Sequence, residues 1–159
     1  MKTLFPKQQY HVPQWFIIDA TGKTLGRLAT EASKLLRGKE QSFFTPGVNQ
    51  GNFVVITNAT KINITGKKEQ QKLYYRNSKR PGGLKKETFK QLQNRIPTRI
   101  LEHAIRGMLP KGVLGREYYR RLYIYVDPSI QYLPKELKES INISQTWKQV
   151  TIQNKNNLI

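Results

Sequence analysis

Residues 105–121, IRGMLPKGVLGREYYRR, combine five basic side chains, three glycines and a proline with a single acid. Because Pro110 lacks a backbone N–H and glycine is costly inside a helix, this segment cannot form one continuous helix. It predicts a helix end, a basic turn, and a second helix that starts after Gly112. In the turn, backbone amides and the Lys111 ammonium can closely approach a polyanion. The second helix would carry three arginines at spacings of four and five residues: Arg116, Arg120 and Arg121. These features suit the binding of phosphates.

The overall charge of the chain agrees with a polyanionic partner. Its 159 residues hold 28 basic and 10 acidic side chains, a net charge of +18. The charge is uneven, since residues 61–126 contain 17 basic and 4 acidic groups, whereas residues 127–159 contain only 4 and 3. Such self-repulsion favours binding to a nucleic acid, with the middle of the chain as the contact region.

Further basic clusters lie at turns and at the ends of predicted elements between residues 67 and 86. They comprise Lys67, Lys68, Arg76, Lys79, Arg80, Lys85 and Lys86. Four tyrosines stand between the basic clusters: Tyr74, Tyr75, Tyr118 and Tyr119. Cations of this kind fix phosphates, and tyrosines can stack on exposed bases. A run of charge is also common on a solvated face, and tyrosine is common in a core. We interpret the cations as contacts and the tyrosines as core residues.

Gly22-Lys23-Thr24 opens a predicted helix directly after a strand, where a phosphate-binding loop of a nucleotide enzyme would end. That motif needs a glycine five positions earlier, and Ile17 stands there, so the nucleotide interpretation fails. The amides of the helix N-terminus, with Lys23 and Arg27, can instead hold a nucleic-acid phosphate. A simple capped turn with a solvated lysine is the equal alternative. Two more candidate RNA contacts come at the end of the same helix: Arg37 and Lys39.

Catalytic and metal-binding arrangements are not visible in the sequence. There is no cysteine, and the only histidines are His11 and His103, which are too few for a metal site. The acids are mostly single residues beside cations, whereas a nuclease needs clustered carboxylates for divalent ions. We therefore predict no enzymatic activity, no cofactor, no metal and no small-molecule substrate.

The elements that position these residues follow from hydrophobic periodicity. The pattern predicts a strand at 15–18, a helix that Gly38 ends, and a strand at 53–57, an order that argues for a parallel sheet. Strand-like alternation continues at 61–65. Two helices are predicted at 87–94 and 97–108, with a last strand at 122–126.

The length suits one domain with its own core. We expect an N-terminal tail over 1–14, an α/β core over 15–126, and a C-terminal extension over 127–159, rich in Asn, Gln, Ser and Lys. No apolar run approaches the roughly 20 residues of a membrane span, and the first residues lack the apolar stretch of a signal peptide. A soluble chain without a membrane partner is the expectation.

The order of motifs resembles a known family. Six collinear stretches, WFIIDATGKTLGRLAT, LLRGK, FVVITNATKINITGKK, KLYYR, RPGGLKKETF and IRGMLPKGVLGR, are similar to the large-subunit ribosomal protein thirteen family of bacteria and plastids. The resemblance covers about residues 14–126. The resemblance implies a three-layer α/β/α fold around a four-stranded, mainly parallel sheet. It also implies a structural place in the large ribosomal subunit, early assembly on large-subunit rRNA, and contacts with neighbouring ribosomal proteins.

A second role is compatible with the same residues. Some bacterial relatives repress translation by binding their own messenger, so a free RNA-binding regulator outside the ribosome is the alternative function. The Asn/Lys/Ile-rich tail resembles proteins of AT-rich organelle genomes, and residues 80–100 resemble cyanobacterial and plastid members. The expected location is therefore the large ribosomal subunit in the plastid stroma, with a bacterial cytoplasm as the alternative.

The sequence also departs from the family pattern at one loop. The family usually has acids where Asn49 and Asn52 stand. Loss of negative charge predicts that this loop lies closer to RNA here.

Overall fold

The computed structural model describes residues 12–127. The predicted tail and extension therefore lie mostly outside the described residues. The elements, in chain order, are β1 Trp15–Asp19, α1 Leu25–Arg37, β2 Phe53–Thr57, a 3-10 turn Ala59–Lys61, α2 Lys68–Gln71, β3 Leu73–Asn77, β4 Leu84–Thr88, α3 Phe89–Arg95, α4 Thr98–Met108, α5 Val113–Arg120 and β5 Leu122–Ile124.

Strand β2 lies at the centre of a parallel sheet, between β1 and β5. Its residues Val54, Val55 and Ile56 are fully buried, as expected for a strand with neighbours on both sides. The predicted strand, helix and strand at the start of the chain are thus confirmed as a β1–α1–β2 parallel unit. Gly38 ends α1 in the left-handed conformation at φ 69°, as its position after Arg37 predicts.

The fold is mixed α/β, but its sheet differs from the predicted four-stranded one. Within residues 12–127 the parallel sheet has three strands, and β3 and β4 form a separate antiparallel hairpin. Residues 61–65, predicted as a strand, form an isolated bridge between Asn63 and Thr24 and a further backbone hydrogen bond, from the Gly22 N–H to the Lys61 carbonyl. Thr24 is the residue before α1, so its chain turns into a helix and the pairing cannot extend.

The main core lies between one face of the parallel sheet and the helices. It joins Val54 and Ile56 to buried side chains of α1, α3, α4 and α5. On the other face, the apolar residues against Val55 come from the strands and the residue after β5: Trp15, Ile17, Tyr123 and Tyr125. The third layer implied by the resemblance is therefore not seen in the described part of the chain.

Two predicted boundaries also change. Glu87, predicted to begin a helix, belongs to β4, and Thr88 caps α3 by a reciprocal pair of hydrogen bonds with Gln91. Thr88-x-x-Gln91 is the sequence signature of such a capping box, and it could have placed this boundary. The last strand ends at Ile124 rather than Val126, although the N–H of Tyr125 still donates to the Ile56 carbonyl.

Candidate nucleic-acid interface

A basic cleft lies where α4, the following turn and α5 meet. The chain makes the predicted helix, turn and helix here, and the cleft between them has a volume of about 470 Å³. It is lined by four basic residues, Arg106, Lys111, Arg116 and Arg120, together with Leu109, Pro110, Gly112, Gly115 and Tyr119. None of these lining residues is acidic. The cleft can therefore neutralise a phosphate backbone without a competing carboxylate in its wall.

Close packing of the turn against α5 fixes the shape of this basic cleft. A Cβ atom at Gly115 would lie 1.8 Å from the carbonyl oxygen of Pro110, so only glycine lets the turn approach the helix this closely. Gly112 has φ 113°, a conformation that other residues rarely adopt. Leu109 is buried beneath the turn, and its N–H donates to the Ile105 carbonyl. The glycines thus serve the geometry of the turn, and the cations are held on a defined frame.

Tyr119 forms the aromatic part of the cleft wall. Burial, and then the negative charge of Glu102, raise the pKa of its phenol, so the ring is neutral at physiological pH. The Arg106 guanidinium carbon lies 5.9 Å from the centre of the Tyr119 ring. Arg106 was not among the predicted contacts, although its place one turn before Pro110 on α4 could have suggested it.

The β3–β4 hairpin brings together the second group of predicted cations. Arg76, Lys79, Arg80, Lys85 and Lys86 are all exposed on it. Arg76 stands directly opposite Lys85 in the strand pairing. Like charges at such a cross-strand position destabilise a hairpin, and a bound anion would relieve that repulsion. The predicted turn at 80–83 is confirmed, with the Gly83 N–H donating to the Arg80 carbonyl.

The start of α1 adjoins a second cleft, of about 250 Å³, that also contains Lys68 and Lys72. The structure thus brings Lys68, a predicted RNA contact, into the same cleft as the predicted phosphate site at the start of α1. The amides there are partly used, because the Leu25 N–H donates to the Asn63 carbonyl. Lys23 lies 3.6 Å from Glu31 in an exposed ion pair. Arg27, Lys67 and Lys68 are exposed as well.

Arg37 and Lys39 lie at the opposite end of α1, about 20 Å from Lys23 at the rise of a 13-residue helix. The structure does not bring them to the α1 N-terminus. Lys39 is exposed, but Arg37 is half-buried.

Arg121 is the predicted contact with the clearest packing role. It is half-buried, its guanidinium donates to the Gly51 carbonyl, and it lies 5.4 Å from the centre of the Phe53 ring. Burial lowers the pKa of Arg121, with the Glu117 charge acting in the opposite direction. The described contacts of this side chain are therefore within the protein.

The tyrosines divide between core and surface. Tyr118 is buried, and Tyr74 and Tyr119 are partly buried against the main core, as expected. Tyr75 is 56% exposed, so its assignment to the core is wrong.

The loop with Asn49 and Asn52 holds both of these side chains inside the protein. Both side chains are buried, and Asn52 accepts a hydrogen bond from the Gln14 N–H at 3.1 Å. Asn49 donates to Glu117. These amides connect the loop to the rest of the fold, and the closer approach of this loop to RNA stays a prediction.

Residues 12–127 contain no group of three or more His, Cys, Asp or Glu side chains that could hold a metal ion. Nor does any helix in this range have the length and apolarity to cross a membrane.

Comparison with known proteins decides the family. The family model for ribosomal protein L13 matches residues 13–131, most of the chain. The chain belongs to the ribosomal protein L13 family. Its L13 relatives include the large ribosomal subunit protein uL13 of Microchaete diplosiphon, 51% identical over 86% of this chain and 93% of the relative. The uL13 protein of Thermosynechococcus vestitus is 52% identical over 80% of this chain and 84% of the relative. The uL13 protein of Synechococcus sp. strain CC9902 is 56% identical over 78% of this chain and 83% of the relative.

Membership of the L13 family also answers the question of catalysis. The L13 family consists of structural proteins without enzymatic activity, so this chain is not an enzyme.

Proposed function

We propose that this chain is a structural constituent of the large ribosomal subunit and that it binds and organises large-subunit rRNA during assembly. The relatives are named as proteins of that subunit. The observation that carries the proposal is the cleft between α4 and α5, where four cations and no acid surround a turn fixed by Gly115.

The mechanism is scaffolding by a rigid surface. The C-terminal end of helix α4 borders the basic cleft. Ala104 and Met108 of the same helix line the second cleft, at the start of α1, and His103 faces the β3–β4 hairpin. One helix therefore holds three groups of cations at fixed separations. RNA segments that are distant in sequence can bind to the separate groups and be held together by backbone contacts. Neighbouring proteins of the large subunit are the other proposed partners.

Sedimentation of the full chain with ribosomal particles tests the proposed place in the ribosome. We expect the chain to remain with large subunits in high salt, because many contacts are buried in an assembled particle. A free RNA-binding regulator would be found in the supernatant under the same conditions, and that result would contradict the proposal.

The salt dependence of binding to large-subunit rRNA fragments tests the phosphate contacts. A protein with about 6 to 10 such contacts loses roughly 10³- to 10⁵-fold in affinity between about 50 and 200 mM salt, because binding releases counterions. A flat plot of log affinity against log salt concentration would exclude backbone neutralisation.

We also propose that residues 15–126 fold as a unit and that residues 127–159 are an extension specific to this ribosome. The near-neutral composition of the extension supports this division. Deletion after Val126 should leave cooperative unfolding intact and weaken association with the subunit. Loss of the cooperative transition would place the extension within the core.

The plastid stroma is the proposed location. The cyanobacterial relatives agree with a plastid or a bacterial origin. Detection of the chain in ribosomes from isolated plastids would support the plastid location, and detection only in bacterial ribosomes would exclude that location.

A further inference from the structure

The outer face of the β3–β4 hairpin exposes three large apolar side chains. Tyr75 is 56% exposed, Leu84 is 53% exposed and Leu73 is 44% exposed. Alternation along a strand puts Leu73 and Tyr75 on one face, and the pairing of Leu84 with Asn77 puts Leu84 on the same face. Tyr74 points to the opposite face, where its ring lies 6.1 Å from His103. Among residues 12–127, this outer face therefore leaves about half of each of the three side chains open to solvent.

The charge around this outer face identifies its occupant. Residues 72–86 contain six basic side chains and no acid. Lys86 lies on the outer face, Lys79 and Arg80 lie between the two strands, and Arg76 and Lys85 lie on the opposite face with Tyr74. Lys86 pairs across the strands with Tyr75, and its ammonium lies 6.0 Å from the centre of the Tyr75 ring. An apolar ring on a strongly cationic ribbon complements a ligand that has flat apolar faces and a polyanionic backbone. Single-stranded nucleic acid has both, and aromatic rings beside cationic grooves are the usual means of binding it.

The exposed ring also restricts the form of the RNA. In a duplex the base faces are already stacked on their neighbours, so a protein ring cannot reach them. Contact with Tyr75 therefore requires a nucleotide from a loop, a bulge or an end. A duplex can contact the lysines and arginines of the hairpin but leaves the ring unused.

We propose that Tyr75 is a stacking platform for an unpaired base of large-subunit rRNA, with Leu73 and Leu84 beside it and the hairpin cations on the adjoining phosphates. This inference rests on the proposed function, since it names the kind of RNA that the ribosomal role presents to the hairpin. It adds recognition of an unpaired nucleotide to the backbone contacts of the basic cleft.

The test compares the full chain with two variants, Tyr75→Ala and Tyr75→Phe, on two probes. One probe is an oligoadenylate of about 12 nucleotides, a length within the range that single-strand sites cover. The other is a blunt RNA duplex of the same length. Tyr75→Ala loses one stacked base, so it should bind oligoadenylate about 5- to 150-fold more weakly than the unaltered chain does. Duplex affinity and the salt slope should stay unchanged, because no charge is removed. Tyr75→Phe keeps the ring and should bind like the unaltered chain.

Each other outcome has a distinct meaning. Equal oligoadenylate binding by Tyr75→Ala and the unaltered chain, with unaltered melting temperatures, would overturn the platform but leave the ribosomal function in place. Failure of the unaltered chain to bind either probe or large-subunit rRNA would instead overturn the proposed function. If Tyr75→Ala reduced incorporation into large subunits without changing binding to naked rRNA, the face would belong to a neighbouring protein and stacking would be excluded.

Discussion

The side-chain amide of Asn49 donates a hydrogen bond to the Glu117 carboxylate, with 2.9 Å between Nδ2 and Oε2. Asn49 is only 5% exposed, and its own oxygen accepts from the Gly51 N–H at 3.3 Å. One asparagine thus connects the loop before β2 to helix α5. The amide can do so because it offers a donor to Glu117 and an acceptor to Gly51 at once.

Replacement of Asn49 by aspartate should destabilise the fold. Asn49→Asp removes the only donor of the pair and places two carboxylates in contact at a buried position. We expect a loss of about 1 to 3 kcal/mol in the free energy of unfolding, measured by urea denaturation at neutral pH. Adding Glu117→Gln restores a donor and should recover most of the loss. Equal stability of the single and double variants would show that the two side chains are not coupled.

The basic cleft should affect RNA binding rather than folding. Lys111→Ala with Arg116→Ala removes two exposed cations, and such changes usually alter stability by no more than about 0.5 kcal/mol. The slope of log affinity against log salt should fall by about 2, because two fewer phosphates are neutralised. Lys34→Ala with Lys90→Ala removes the same charge from exposed positions outside the proposed interface and should change the slope less. Equal slopes for the two double variants would mean that the cleft has no special role.

Gly115 and Gly107 should respond in opposite ways to alanine. Gly115→Ala places a Cβ atom against the Pro110 carbonyl and must displace backbone, which should cost about 1 to 3 kcal/mol of stability. Gly107 lies within α4, and a Cβ there meets nothing within 4 Å. Gly107→Ala should therefore stabilise the fold by about 0.4 to 1 kcal/mol. Thermal unfolding of both variants is the measurement, and unchanged or increased stability of Gly115→Ala would contradict the close approach of the turn.

Asp19 should make stability depend on acidic pH. Burial acts to raise the pKa of its carboxyl, but hydrogen bonds from the Thr21 N–H, the Asn58 amide and the Thr21 hydroxyl, with the charge of Lys61, lower it below its ordinary value of 3.8. The ionised form therefore stabilises the fold above pH 3.8, and this contribution is lost as the pH falls through the lower folded-state pKa. Asp19→Asn should show a weaker decrease in unfolding free energy over that range. Identical pH profiles would mean that the bonds to Asp19 contribute nothing.

The sequence predicted those parts of the fold that local pattern controls. Helix α1, its end at Gly38 and the parallel pairing of β1 with β2 follow from apolar spacing and from one glycine. The 61–65 segment shows why pattern alone is insufficient. Ile62 is buried and Ile64 partly buried, as alternation predicts, but a strand also needs a partner, and Thr24 provides only one residue before α1 begins. Strand pairing depends on two segments that meet in the fold, so the apolar pattern of one segment alone does not predict it.

Some features of the candidate interface likewise follow from the sequence alone, and others depend on the tertiary structure. The amino-acid sequence alone determined the excess of cations, their concentration in residues 61–126 and the broken basic turn after α4, because charge and backbone limits belong to each residue. Only the tertiary structure decided which cations share a cleft, that Arg121 packs against Gly51 and Phe53, that Asn49 is interior and that Tyr75 is exposed. Burial and proximity depend on what the rest of the chain packs against each side chain. Chemical type alone does not carry that information.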